Sequence, residues 1–333
     1  MKSIRRSNRA ATIAQTQRFE AAAEEDFGDA FSALDDDRYK HQGEKCEIHL
    51  YERRFNTRGE PVILQSGSRS DLVWAVESSI EAALVVTRFY NHRKELESTQ
   101  LEIKSPYIRE AMKTVIGSYP GVNINSGGPI LVPGDPMCLF HYRNELHSYA
   151  SKCQNKKARE HILFCLKYLS KVLNREIMSY EELMQNEDAA PGLECPNLWM
   201  AFKPGTLLYA RKEHGIDVIS RLRSMAKVKS PLQHEYWTLV TEIITCDGSD
   251  FRFVSEVVRI LNYDGYRPLT QLGIYPLEYH RDAEGVRTNL VARGKTYVSM
   301  LGAHHCSYDG AAWLDDWHGN GQQCSNVSHC FSR

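Results

Sequence analysis

No uninterrupted apolar run in this 333-residue chain approaches the ~20 residues a bilayer-spanning helix needs. Ala82-Ala83-Leu84-Val85-Val86, as long as any, has the length of a strand. Charge of one sign is missing too: 41 Lys plus Arg stand against 42 Asp plus Glu, a formal net charge of −1. That balance excludes a nucleic-acid reader built on overall positive charge, so no nucleic-acid partner is expected, although a local patch stays open. The nine cysteines are odd in number, scattered, and contain no Cys-x-x-Cys. The pattern suits reduced thiols in cytoplasm or nucleus better than a disulfide framework. No apolar segment follows the basic N-terminus, so a secretory signal is not expected. Lys2, Arg5, Arg6, Arg9 and Arg18 all precede the first acid, Glu20. This leaves a mitochondrial presequence open beside a plain solvated arm.

Catalytic and cofactor signatures are equally scarce. Gly-x-Gly-x-x-Gly, His-Glu-x-x-His and Gly-x-Ser-x-Gly do not occur. Gly294-Lys295-Thr296 imitates the end of a phosphate-binding loop, but the required first glycine is Asn289. The intervening Leu290-Val291-Ala292-Arg293 reads as helix. The acidic magnesium ligand after a buried apolar strand is also missing, since Asp247 is better used in a hairpin turn. His304, His305, Cys306, His318, Cys324, His329 and Cys330 gather near the C-terminus, yet without the paired spacing that lets one tight turn supply two zinc ligands. Cys138 and His141 lie three apart on an expected helix, where a buried thiol beside a bonded histidine is commoner than a nucleophile–base pair. The expectation is therefore no catalytic residue, no metal and no cofactor.

The patterns present point to an α+β fold of antiparallel strands and a meander with a segregated helical segment. Residues 1–45 read as a disordered charged arm. Residues 46–313 read as one α+β region with subdomains at about 46–190 and 196–313, and 314–333 as a polar tail. Strands are expected from Cys46, around a turn at Asn56–Gly59, and over Ala83–Tyr90 and Thr99–Lys104. Ser105, Pro106 and Gly117 bracket a helix with the stripe Ile108, Ala111, Met112, Val115 and Ile116. A loop is expected over Ser118–Asp135, then helices opening at Asp135-Pro136, over Ala158–Leu173, and at Ser179-Tyr180-Glu181-Glu182, which fits a capping box. Thr206–Ala210, Tyr236–Thr245 and Phe251–Ile260 follow as strands. Asp247-Gly248 turns the last two, and Asp264-Gly265 turns the chain toward a further strand at Leu269–Leu277. Val286–Leu301 reads as a final helix. Trp199, Phe202, Tyr236 and Trp237 are expected in the core.

Several stretches together resemble the N-terminal domain of unknown function of large fungal AAA-type ATPases. They are Ile103–Ile108 with its helix, Pro136–Leu146 with Phe140 and His141-Tyr142-Arg143, Leu198–Gly205, Tyr275–His280, Leu290–Tyr297, and His305–Ala311 with its His-x-x-Tyr-x-Gly form. Their order spans about 46–313. In that family an ATP-hydrolysing module follows, whereas this chain ends 20 residues after Trp313, as a truncated product or an altered gene model would. The resemblance implies a non-enzymatic recognition or adaptor domain binding a protein partner, a full-length ATPase of the same family among the candidates. Arg293, Gly294, His305, Tyr308 and Gly310 form its candidate surface, with the 118–135 loop as a second. The rival expectation is an ATPase-related remnant that still binds nucleotide, or an enzyme-like accessory protein of a fungal biosynthetic pathway using His280, His305 or Tyr308; a truncated, nonfunctional product is the third.

Overall fold

The computed structural model describes residues 43–65, 81–186, 189–212, 215–230, 235–246 and 250–299, together with the backbone of 312–315 and 321–324. Most of the charged arm, the Asp247-Gly248 turn, and the side chains of the C-terminal His/Cys group lie outside them. The architecture is α+β, with separate helices and largely antiparallel sheets. The chain divides into two compact units. The first holds 1–117, 123–135 and 149–165; the second holds 118–122, 136–148 and 166–333.

The first unit is a five-stranded sheet in the order β2-β1-β3-β4-β5, built from β1 (Lys45–Phe55), β2 (Pro61–Gln65), β3 (Ala82–Tyr90), β4 (Leu96–Ile103) and β5 (Ile130–Pro133). Four residues of the expected 118–135 loop are thus a strand. Ile130 and Val132 turn inward and bury, and β4 supplies the ladder, so pairing overrides the loop-like composition around them. One ladder departs from the antiparallel expectation: β1 runs parallel to β3, with Leu50 opposite Val86 and Arg53 opposite Phe89. Residues 82–86 of β3 are buried on both faces, as expected of a central strand read as a continuous apolar run.

Helix α1 (Pro106–Val115) starts and stops on local signals. Ser105 Oγ accepts from the Ile108 amide, proline occupies the first turn, and Gly117 takes φ +69° to close the end. Ile108, Ala111 and Met112 bury their side chains. Ser105 Oγ also lies 2.9 Å from His161 Nδ1, and both residues are buried. The serine therefore serves as cap and anchor together.

The expected helix from Asp135 is two: α2 (Met137–His141) and α3 (Arg143–Lys152). The cap falls on Pro136, and Tyr142 (φ −114°, ψ 17°) breaks the helix. Next come α4 (Lys156–Val172) and α5 (Asn174–Met184). Ser179 lies inside α5 and does not cap it. The Ile177 amide already bonds Leu173 O at 2.8 Å, so the helix starts a turn and a half before the capping-box sequence.

The second unit's main sheet has the order β10-β9-β8-β7-β12. Its strands are β7 (Leu207–Arg211), β8 (Asp217–Lys229), β9 (Glu235–Cys246), β10 (Phe251–Leu261) and β12 (Ile274–Pro276), while β6 (Gly192–Glu194) pairs with β11 (Tyr266–Pro268). The meander is therefore β7-β8-β9-β10. Its longest strand, β8, was not expected, and β12 joins the far edge beside β7 instead of following β10. Trp237, Leu239 and Thr241 face the core, and the Trp237 indole donates to Cys195 O at 2.8 Å. Trp199 and Phe202 are buried as expected. Helix α6 (Ala283–Ser299) closes the unit, and β13 (Ala312–Asp315) pairs with β14 (Gly321–Cys324).

Gly192 marks a close backbone approach. A Cβ there would stand 2.5 Å from Arg267 O and 2.8 Å from Pro268 Cα. Gly192→Ala is expected to open the β6–β11 ladder and lower stability by about 1–3 kcal/mol, read as a shift in the urea midpoint. An unchanged midpoint would show that the ladder yields freely.

Candidate functional site

Several stretches behind the family resemblance meet in the second unit, where they build structure. His141 is buried with both ring nitrogens engaged. Nε2 lies 2.9 Å from Trp199 O, a carbonyl that can only accept, so the proton sits on Nε2. Nδ1 then accepts from the Tyr119 hydroxyl at 2.9 Å. Burial drops the imidazole pKa to about 4 and pushes the Cys138 thiol up to about 12. A neutral imidazole with both nitrogens occupied cannot serve a protonated thiol, so Cys138 and His141 form no nucleophile–base pair. Lys203 Nζ lies 2.6 Å from Glu145 Oε1 and 3.8 Å from the Tyr142 ring centre, joining the Tyr142 and Lys203 stretches by charge. The His280 ring lies 4.5 Å from the Tyr209 ring centre, tilted by 52°, with its Nδ1 accepting from the Asp282 amide. These contacts explain the motifs as packing.

A groove of about 720 Å³ lies between the second unit's sheet and α6. The alternation of β7–β10 puts Leu207, Ile219, Ile244 and Phe253 on it, and α6 adds Leu290, Arg293, Gly294 and Tyr297. Of the expected surface residues, Arg293 and Gly294 are therefore in the wall. His305, Tyr308 and Gly310 lie outside the described residues. Arg293 Nη2 donates to Asp217 O at 2.9 Å, which ties α6 to the start of β8. Gly294 has open space where a Cβ would stand. The whole stretch Asn289–Thr296 is helical, with none of the curled backbone a triphosphate needs.

Several of the groove's charges are paired, while Arg293 meets only a backbone carbonyl. Arg221 Nη2 is 2.7 Å from Glu242 Oε2, Arg223 Nε is 2.9 Å from the other carboxylate oxygen, and Lys212 Nζ is 3.2 Å from Glu256. The Arg221 guanidinium stands 5.1 Å from the Phe253 ring centre. Among the described residues no histidine or cysteine lines the groove. Such a wall accepts apolar side chains.

Beside the groove, β10 ends the sheet. Its register with β9 is unbroken from Phe251↔Cys246 to Leu261↔Tyr236. Phe253, Val257 and Leu261 are 62%, 62% and 72% exposed. The strand has no proline, lysine or bulge, and its charged residues are Arg252, Glu256 and Arg259. The alternating strand itself was legible in the sequence. Its edge position was not, because it depends on β12 joining at the other side.

A family model described as a domain of unknown function (DUF7025) matches residues 185–281, less than a third of the chain. The span includes the Leu198–Gly205 and Tyr275–His280 stretches and β7–β10, and stops before α6. No curated protein and no solved structure matches the chain. Among the described residues no group of three or more His, Cys, Asp or Glu side chains could hold a metal ion, and no helix is long and apolar enough to cross a membrane.

Proposed function

We propose that this chain is a non-enzymatic recognition module that takes an extended segment of a partner polypeptide as an added strand along β10. The observation that carries the reading is the eleven-residue edge, unpaired among the described residues, with its exposed apolar side chains. Main-chain hydrogen bonds would supply affinity, and alternate side chains of the added strand would supply specificity. The groove beneath α6 gives those side chains a largely apolar wall. A strand is the occupant favoured because an open sheet edge presents a row of backbone donors and acceptors that only another backbone can match in register. The resemblance to the N-terminal domain of AAA-type ATPases fits such a role, and a full-length ATPase of that kind is the first partner to assay.

Linear peptides of about ten residues, the reach of one strand, are expected to be selected from a random display library by the full chain. Val257→Lys should weaken their binding at least about tenfold while leaving the thermal midpoint unchanged, because Val257 is largely exposed. Selection of no peptide, or binding indifferent to Val257→Lys, would overturn the proposal. Sedimentation of the free chain as a dimer that dissociates on Val257→Lys would replace the partner by a second copy of the chain.

A further inference from the structure

The first unit carries a second cleft that the reading above does not use. The parallel pairing of β1 with β3 brings two hairpin tips to one end of the sheet. The tips repeat a single design: Asn56-Thr57-Arg58-Gly59-Glu60 joins β1 to β2, and Asn91-His92-Arg93-Lys94-Glu95 joins β3 to β4. In the first, Asn56 Oδ1 accepts from the Arg58 and Glu60 amides, both at 2.9 Å, and Nδ2 donates to Glu60 Oε2 at 2.8 Å. In the second, Asn91 Oδ1 accepts from the Arg93 and Glu95 amides at 2.8 and 3.0 Å, and Nδ2 donates to Glu95 Oε2 at 2.9 Å. The fourth position is left-handed in both, at Gly59 (φ +78°) and Lys94 (φ +63°). Lys94 is the one non-glycine residue with positive φ among the described residues.

These rigid tips frame a cleft of about 790 Å³. Its wall includes Arg54, Arg58, His92 and Lys94 and, among the described residues, no carboxylate. Arg54 is itself paired with Glu52, while Arg58 and Lys94 are exposed at the tips. The remaining wall sets the rings of Phe55 and Tyr90 among the aliphatic Val62 and Leu64 and the polar Asn56, Thr57 and Asn91. Phe55 and His92 stack at 3.7 Å with their planes 24° apart, which links the two tips, and the Arg54 guanidinium lies 5.0 Å from the Tyr90 ring centre. The volume falls within the range of about 300–1,000 Å³ usual for ligand sites.

Flat π faces beside cations, with the tip acids held by asparagine amides, suit a ligand that joins a planar ring to a negative charge. We infer that the cleft binds nucleotides, with Arg58 and Lys94 on phosphate and the Phe55–His92 stack against a base. The net charge of −1 does not oppose this, because phosphate contacts act within about a Debye length. Free nucleotide and single-stranded nucleic acid share this chemistry.

The test is fluorescence anisotropy of the full chain with a labelled single strand of about 12 nucleotides, repeated with labelled AMP. Binding in the micromolar range at low salt is expected. Arg58→Gln with Lys94→Asn should weaken it at least about tenfold and lower the log–log salt slope by roughly 0.7 per removed cation. Asparagine tolerates the left-handed conformation at 94, so the tip should keep its shape, checked by an unchanged thermal melt. His92→Ala should weaken binding several-fold without altering the salt slope. Tighter binding of the strand than of AMP identifies nucleic acid as the source, and equal binding identifies free nucleotide. No binding of either probe, binding indifferent to the substitutions, or equally tight binding of poly-glutamate would overturn the inference.

Discussion

Phe140→Ala is expected to lower the unfolding free energy by about 3–5 kcal/mol, enough to abolish the cooperative transition of a marginally stable unit. Phe140 is 1% exposed. Its ring meets Trp199 edge-on at 5.3 Å and Tyr180 edge-on at 5.4 Å, and the Arg143 guanidinium caps it at 4.0 Å. Deleting the ring removes buried area and leaves a cavity between α2 and the segment 195–201. It also leaves Arg143, which donates to Phe140 O at 3.0 Å, without its aromatic platform. Urea unfolding followed by tryptophan fluorescence reads the loss directly, since Trp199 is a neighbour. Phe140→Leu should retain most of the stability, at a cost near 1 kcal/mol. A midpoint shift below about 1 kcal/mol for the alanine variant would show that these landmarks do not hold the fold.

The second large effect is on acidification. His141 has a folded pKa of about 4, lowered from 6.5 chiefly by burial. Between those values the unfolded chain binds a proton that the folded chain refuses, so stability rises with pH across the window. The contribution is whole above pH 6.5 and is lost as pH falls toward 4. The shift corresponds to about 3 kcal/mol. His161, also lowered by burial, acts in the same direction. The urea midpoint should therefore fall steeply from pH 7 to 4.5, before most carboxylates protonate. His141→Gln should be less stable at pH 7, where it loses part of the Tyr119–Trp199 bridge, yet show a flatter pH profile. A variant as steep as the parent would assign the acid sensitivity elsewhere.

How far the sequence could be read depended on the range of the forces involved. Helix α1 is bounded by a cap, a proline and a glycine that act within a few residues, and the β9–β10 hairpin carries its alternation on its face. Strand β8 escaped detection because Arg221, Arg223, Ser224, Met225, Ala226 and Lys227 favour no one state locally. Pairing with β7 on one side and β9 on the other makes them a strand. The capping box at Ser179 was overridden for a similar reason, since α5 begins on the backbone of α4's last turn.

The candidate sites divide along the same line. The strand at β10 and the false phosphate loop at Asn289–Thr296 were both legible in residue identity, because each rests on a short pattern or on one missing glycine. That β10 is an edge, that α6 lies beside it, and that two Asn-x-x-x-Glu tips share one cleft were decided only by tertiary structure. Sheet order and parallel pairing join residues tens of positions apart, and no local preference encodes which strand becomes whose neighbour.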